Sequence, residues 1–393
     1  MNARWCTFAL VAAISWTANG AEPGWQERAA AMASRSEAFL KARQDAASGG
    51  WSVNPQGPTF PAVTGLVLQG MCATATLDEK DPAVAKGIAF ILSKRQPDGG
   101  IYDRVLPSYN TAICLTALAK ASSPAARAAI KPAQEYLESL QYGEGAASAE
   151  GAPESATKVD RSHPFYGGIG YGNRGRPDLS NVSFAMEGLR ASGVDPASPP
   201  FQRALVFLSR VQMHEKVNDQ PYAKGSMQGG FIYATSENKD KVGSGQSFAG
   251  TFEETLSDGT KASRLRAYGS MTYAGFKTYV YANLSRDDER VVLAREWIAR
   301  NYTLAENPGV GTDGLYYYLL MFSKAMSAWG EPTIETVSPD GTKAVRNWGE
   351  DLVNRLAELQ QEDGSFKSVD DRWMENDQVL ITAYALTALR CAM

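Results

Sequence analysis

The sequence predicts an all-α chain, an α6-α6 toroid in which six helical hairpins close into a ring with long loops on one face. Three observations carry this prediction. An apolar helix end, a Gln and a Gly-containing turn recur along the chain; a second, nearly all-apolar helix follows each turn; and no strand-rich region supplies a sheet. The clearest copies are Ile91-Leu92-Ser93-Lys94-Arg95-Gln96-Pro97-Asp98-Gly99-Gly100 and Leu356-Ala357-Glu358-Leu359-Gln360-Gln361-Glu362-Asp363-Gly364-Ser365. Helices sharing the string Leu-Thr-Ala-Leu follow them at 111–121 and 382–391.

In chain order, residues 1–21 read as a signal peptide. Arg4 gives a positive start, 7–16 are apolar, and Ala18-Asn19-Gly20 supplies small residues before cleavage near Ala21. The mature chain is therefore expected in the periplasm or outside the cell, with 22–393 forming one toroid. Further copies of the unit run from Phe39 to Gln44 with Gly49-Gly50-Trp51, from Tyr136 to Gln141 with Gly167-Gly168-Ile169, and from Phe207 to Gln212 with Gly229-Gly230-Phe231. A degenerate one starts at Trp297, lacks the Gln, and keeps a turn at 309–314 and a helix at 315–328. The Gly pair lets the chain reverse and approach its neighbour closely, which needs positive φ or no side chain. Charged first helices, such as the one holding Glu350 and Glu358, belong outside; apolar second helices belong inside. The last helix ends in Leu386-Thr387-Ala388-Leu389 like an internal one, whereas an open array would end in a polar cap, so the ring should close.

Composition narrows the function. With 39 basic against 43 acidic residues and a net charge of -4, no basic block exists to neutralise phosphates, so nucleic acid is not expected as a partner. Two histidines, His163 and His214, cannot build a multi-histidine metal site, and neither a metal nor a cofactor is expected. After the leader no stretch approaches the ~20 apolar residues of a membrane span. Cys6 leaves with the leader. Of Cys72, Cys114 and Cys391, the first and last end the first and sixth inner helices and are the pair a closed ring would bring together. A monomer is expected.

Aligning the inner helices on their Thr-Ala-Leu core puts Val63, Asn110, Asn181, Tyr273, Tyr318 and Ile381 at one level near the mouth of the ring. Tyr273 and Tyr318 are expected to wall an axial pocket that Asn110, Asn181 and Asp178 rim. Tyr171, Tyr268, Tyr316 and Tyr317 extend the aromatic cluster, although three consecutive tyrosines point three ways and at most two can face a pocket. Asp178, Asp313 and Asp377 stand beside helix starts, as caps or as catalytic carboxylates. His163, in the insertion 143–163, is a candidate general base. That insertion and 217–266 both leave the chain between first and second helices, hence on the same face. Arg174, Arg176, Arg264 and Arg266 would suit an acidic glycan.

These residues resemble the prenyltransferase and squalene-oxidase repeat family, whose repeat pairs a helix ending in Gln with a Gly-aromatic turn, the QW pattern. The likeness runs from Arg35 to Cys391. It is nearest to an exported bacterial branch through Gly170-Tyr171-Gly172, Pro177-Asp178-Leu179-Ser180-Asn181, Tyr268-Gly269-Ser270-Met271-Thr272-Tyr273-Ala274-Gly275 and Gly314-Leu315-Tyr316-Tyr317-Tyr318. The resemblance implies the terpenoid cyclase and protein prenyltransferase toroid, a fold that thioester domains and some polysaccharide lyases share, and it implies no single reaction. The Asp-x-Asp-Asp acid of squalene-type cyclases is missing: Ser368-Val369-Asp370-Asp371 and Ser285-Arg286-Asp287-Asp288 each lack its first Asp. Cyclisation of squalene by protonation is therefore not expected. No acid stands two residues before a Cys, as prenyltransferase zinc requires, and no Cys-Gly-Glu-Gln occurs. Three readings stay open: a toroid that binds or transforms a hydrophobic isoprenoid-type molecule, a secreted polysaccharide-processing enzyme, and a protein-binding scaffold. Whether the chain is an enzyme is left open, and its partner is a small hydrophobic molecule or a glycan.

Overall fold

The computed structural model describes residues 24–393 except 54–58, 73–75, 145–157, 173–174, 239–241, 244 and 369. The helices are α1 (Trp25–Ala42), α2 (Pro61–Met71), α3 (Pro82–Ser93), α4 (Pro107–Leu118), α5 (Pro124–Ser139), α6 (Leu179–Ala191), α7 (Pro199–Val211), α8 (Gly269–Tyr281), α9 (Glu289–Arg300), α10 (Leu315–Trp329), α11 (Trp348–Leu359) and α12 (Gln378–Ala392). Even-numbered helices pack side by side in the order α2, α4, α6, α8, α10, α12, and α12 returns to α2. The ring is closed, as the matching end units predict. All eleven residues of α2 are buried, whereas outer helix α11 buries Trp348, Gly349, Leu352, Val353 and Leu356 and carries its charges on the rest, as expected; α3 is an outer helix as apolar as the inner ones.

The turn chemistry explains the closure. Gln44, Gln141 and Gln212 each donate from Nε2 to the carbonyl of the turn glycine and to a first-turn carbonyl of the next outer helix: Gly49 and Ala83, Gly167 and Pro200, Gly229 and Arg290, all at 2.8–3.0 Å. Gln360 makes a similar pair across the seam, donating to Gly364 at 3.3 Å and to Met32, in the middle of α1 rather than its first turn, at 2.9 Å. Sequence alignment assigns this place to Gln361, but Gln361 bonds back to Leu359 of its own helix end. Gly167, with φ +83, lies so close to α7 that a Cβ there would stand 1.8 Å from the Arg203 carbonyl oxygen. Beyond each turn the backbone N–H of Trp51, Ile101, Phe231 or Phe366 donates to the hydroxyl of Thr64, Thr111, Thr272 or Thr382 on the inner helix. This fixes each turn to the ring wall.

Two elements depart from the all-helical expectation. β1 (Thr251–Thr255) and β2 (Lys261–Leu265) form an antiparallel hairpin in the 217–266 insertion, between an outer and an inner helix. β3 (Thr333–Val337) and β4 (Lys343–Asn347) form a second hairpin between α10 and α11, on the opposite face of the ring. No disulfide joins Cys72 to Cys391. Cys72 closes the end of α2, while the Cys391 thiol lies against Ser323 and the charges of Lys324 and Glu187, directed toward the ring interior.

Below the mouth, the ring interior holds a buried charge cluster. Glu187 of α6 accepts from Lys277 of α8 and Lys324 of α10, each at 2.5 Å, and Lys324 also donates to Gln69 of α2 at 2.9 Å. Burial alone would raise the Glu187 carboxyl, but the two ammonium groups override it and hold it at about 2. The Phe184 ring covers the cluster, 5.4 Å from Lys277 Nζ and 5.9 Å from Lys324 Nζ.

Candidate functional site

Above Phe184 an axial cavity of about 500 Å³ opens at the face where the inner helices begin. The inner helices contribute Ala62, Val63 and Leu66 from α2, Tyr109 and Asn110 from α4, Ser180 from α6, Ser270 and Met271 from α8, Tyr317 from α10, and Leu380 and Tyr384 from α12. Loops complete it with Val53 and Phe60, Val105 and Leu106, Tyr171, Tyr233, Phe248, Tyr268, and the run Trp373, Met374 and Glu375. Among the described lining residues there is one carboxylate, Glu375, and no Lys, Arg or His. Phe184 packs against two of the lining residues, its ring 4.9 Å from Tyr109 and 6.3 Å from Tyr317.

The expected site is right in level and wrong in rotation. Tyr171, Tyr268 and Asn110 line the cavity; Tyr273, Tyr316, Tyr318 and Asn181 do not. Stepping back one residue on five of the six helices gives Ala62, Tyr109, Ser180, Tyr317 and Leu380, which all line the cavity, while α8 contributes Ser270 and Met271 and its Thr272 bonds the Phe231 N–H instead. One residue on a helix is a turn of about 100°, and this sends Tyr318 and Tyr273 into the α8–α10 interface. Their rings meet there at 5.7 Å, with Phe322 5.0 Å from Tyr273. Tyr316 turns the other way, onto Phe366, and donates to the Lys367 carbonyl at 2.9 Å. These three are core residues.

The polar residues at the mouth cap helices. Asn110 accepts from the Ala62 N–H at the start of α2 and donates to the carbonyls of Val105 and Leu106, so its amide is fully occupied. Asp178 caps α6, accepting from the Asn181 N–H and Nδ2 at 2.9 Å each. Asp377 caps α12 through the Leu380 N–H at 2.8 Å. Asp313 caps nothing: it pairs with Arg372, and the cap of α10 comes from Glu375, which accepts from the N–H groups of Tyr316 at 3.1 Å and Tyr317 at 2.7 Å. His163 lies away from the cavity, its Nδ1 accepting from the Phe165 N–H and its Nε2 3.3 Å from Glu237. Asp288, in one of the two acidic pairs, caps α9 and grips Arg290. Arg176 donates to the Gly245 carbonyl, Arg264 to that of Lys224, and Arg266 stacks on Phe252, so none of them lines the cavity. Arg174 lies outside the described residues, as do 1–21.

Glu375 is the group that sequence reasoning misses, because a lone acid in a connecting loop carries no signal. Two strained segments face each other across the mouth: Arg104 and Leu106 on one side, Trp373 and Met374 on the other, all non-glycine residues with φ between 49 and 65°. Asn110 fixes the first segment and Glu375 the second. Burial pushes the Glu375 carboxyl from 4.5 up to about 7, against the pull of its two N–H donors, and pushes Asp178 from 3.8 up to about 6. Both folded-state values lie above the unfolded ones. Between about pH 4 and 7 the folded chain therefore holds protons that the unfolded chain has released, and stability falls as pH rises, by about 3 kcal/mol per group. Urea unfolding at pH 4 and pH 8 should show this loss, and Glu375→Gln should remove roughly half of it; an unchanged pH slope in the variant would contradict the assignment.

A model of the squalene-hopene cyclase C-terminal domain matches residues 53–234. No curated protein matches the chain. Among solved structures, the GH76A α-1,6-mannanase of Salegentibacter sp. HEL1_6 superposes with a TM-score of 0.55 at 9% identity, covering 94% of this chain and 99% of that one. A variant of the type II terpene cyclase MstE from Scytonema, in complex with merosterolic acid A, gives 0.47 at 13% identity, over 94% and 98% of the two chains. At 9% identity the likeness to the mannanase shows the fold alone. The chain is an α/α toroid whose residues 53–234 match the model of the squalene-hopene cyclase C-terminal domain.

Proposed function

We propose that this protein is exported and binds a hydrophobic, isoprenoid-type molecule in its axial cavity. The supporting observation is the cavity wall. A space of about 500 Å³ is within the size range of small-molecule sites, and its lining is aliphatic and aromatic apart from phenols, two serines, Asn110 and Glu375. Such a wall gains from burying a hydrocarbon chain, at roughly 25 cal/mol per Å² of apolar surface, and from dispersion and ring contacts to conjugated or branched segments. The same wall disfavours the polysaccharide reading, since Arg176, Arg264 and Arg266 are engaged elsewhere and a neutral sugar would find few partners. The protein-scaffold reading has no observation of its own.

Native mass spectrometry of the protein recovered outside the cytoplasm tests both parts. The expected spectrum shows a chain beginning near Ala21 or Glu22, carrying a retained hydrophobic molecule or taking up geranylgeraniol after delipidation. An intact Met1 on folded protein would overturn export. Failure to take up any apolar probe would overturn the cavity reading.

A further inference from the structure

Two hydroxyls at the start of α8 reach the axial cavity with a proton to give and, among the described residues, no acceptor to take it. The Asn307 side chain fixes the first. Its Oδ1 accepts from the Ser270 N–H at 2.9 Å, so its amide nitrogen is the group that meets Ser270 Oγ and the Asp313 carbonyl, each at 3.2 Å. A backbone N–H and a backbone carbonyl set this direction, since neither can exchange roles. Ser270 Oγ is therefore the acceptor toward Asn307, and its own proton has no partner among the described residues. Ser270 is 3% exposed and lines the cavity.

The second is Tyr268, the residue before α8. Its N–H donates to the Phe231 carbonyl at 3.1 Å and its carbonyl accepts from the Thr272 hydroxyl at 2.8 Å, so the ring has a fixed root. Tyr268 is 2% exposed and lines the cavity, yet its Oη makes no hydrogen bond among the described residues. Tyr273 Oη, also unbonded, is sealed in the α8–α10 interface; Tyr268 Oη is not sealed, and the open space beside this buried residue is the cavity. Next to α8, Tyr317 of α10 meets Ser180 of α6 at 2.9 Å. Whichever oxygen donates, one of their two protons is left over, so this surplus does not depend on the direction of the bond. The wall opposite α8 is α2, which contributes Ala62, Val63 and Leu66 and no polar side chain.

We infer that the start of α8 is the polar end of the cavity and holds the carbonyl oxygen of a hydrophobic ligand, a ketone-type group on a hydrocarbon chain, with Tyr268 Oη and Ser270 Oγ as its donors. This rests on the cavity reading given above and adds the chemistry of the ligand's polar group. A carbonyl oxygen has two lone pairs and no proton, which matches donors in excess. Both hydroxyls stand where the aligned peptide dipoles of α8 place positive partial charge, and this favours an oxygen bearing negative partial charge. Buried donors without a partner are costly, and an acceptor arriving with the ligand removes that cost. An alcohol would bring a proton where protons are already in surplus. A carboxylate or diphosphate would shed its hydration against a lining that holds no Lys, Arg or His among the described residues and already holds the Glu375 carboxyl.

Calorimetric titration with farnesylacetone, with the hydrocarbon in which a methylene replaces its carbonyl, and with the alcohol made by reducing it, tests the assignment. Tyr268→Phe and Ser270→Ala should each weaken ketone binding about 3- to 10-fold, the worth of one net hydrogen bond, and leave the hydrocarbon's affinity unchanged. Both variants keep the backbone bonds of this turn to Phe231, Asn307 and Pro308, so both should fold as the wild type does. The alcohol should bind the wild type more weakly than the ketone. In the infrared, the carbonyl stretch of bound farnesylacetone should lie below its position in alkane solution, and the double variant should return it toward that position. Unchanged ketone affinity in both variants, a bound carbonyl at its alkane frequency, or tighter binding of the alcohol would overturn the carbonyl assignment, while binding of the hydrocarbon leaves the cavity reading standing. If none of the three binds the wild type, both readings fall together.

Discussion

Glu187→Ala should remove about 3–5 kcal/mol of stability, because it leaves Lys277 and Lys324 buried with no counter-charge. Lys277 is fully buried and Lys324 is 6% exposed, so water cannot replace the carboxylate without opening the ring. The pH dependence gives an independent route to the same size. A carboxyl held at about 2 rather than 4.5 contributes about 3 kcal/mol that is present above pH 4.5 and lost as pH falls toward 2. Replacing Glu187, Lys277 and Lys324 together with Leu or Met should be near neutral, since the cluster's own desolvation cost is then removed as well. Urea unfolding of the single and triple variants at pH 7 would check this. A Glu187→Ala midpoint equal to wild type would show that the ammonium groups are solvated or neutral.

Gly167→Ala should be the most damaging added methyl among the described glycines. The added carbon meets the Arg203 carbonyl at 1.8 Å on a backbone already at φ +83, so the turn and α7 must separate. Strain of about 1–2 kcal/mol from the left-handed conformation adds to that displacement, and a loss beyond about 3 kcal/mol is expected. Gly193→Ala is the matched control. Its φ is +92 and no atom lies within 4 Å of the added carbon, so it should cost only the conformational share. Equal thermal midpoints for the two variants would contradict the close approach of turn and helix.

The contrast between these sites and the cavity shows what a sequence with internal repeats reveals. The hairpins are legible because their chemistry is local: Gln, Gly and the following apolar residue lie within a dozen positions, and the repeat prints them several times. Closure is legible for the same reason, as the last unit matches the first and Gln360 meets α1 by a bond similar to the one Gln44 makes to α3. The cavity is only half legible. Aligning inner helices on a shared string sets height along the axis but not rotation, and an error of one residue exchanged Tyr317 for Tyr318. Asp178 and Asp377 behave as their places beside helix starts suggest, whereas Asp313 yields its role to Glu375, about sixty residues away, because a carboxylate from the next loop reaches the helix end first. The buried cluster was invisible: Glu187 meets partners 90 and 137 residues distant, and no pattern along the chain announces a charge pair across a ring.

If the axial cavity takes a hydrophobic molecule as proposed, a side chain that fills it should exclude that molecule. Ala62 lines the mouth from the first turn of α2, where its own N–H is already held by Asn110. Ala62→Trp should place an indole in the open space with little change in thermal midpoint. In a calorimetric titration with geranylgeraniol, the wild type should take up one equivalent, and the Ala62→Trp variant should lose at least about tenfold in affinity, roughly 1.4 kcal/mol. Undiminished binding by a folded Ala62→Trp variant would place the ligand elsewhere and contradict the account.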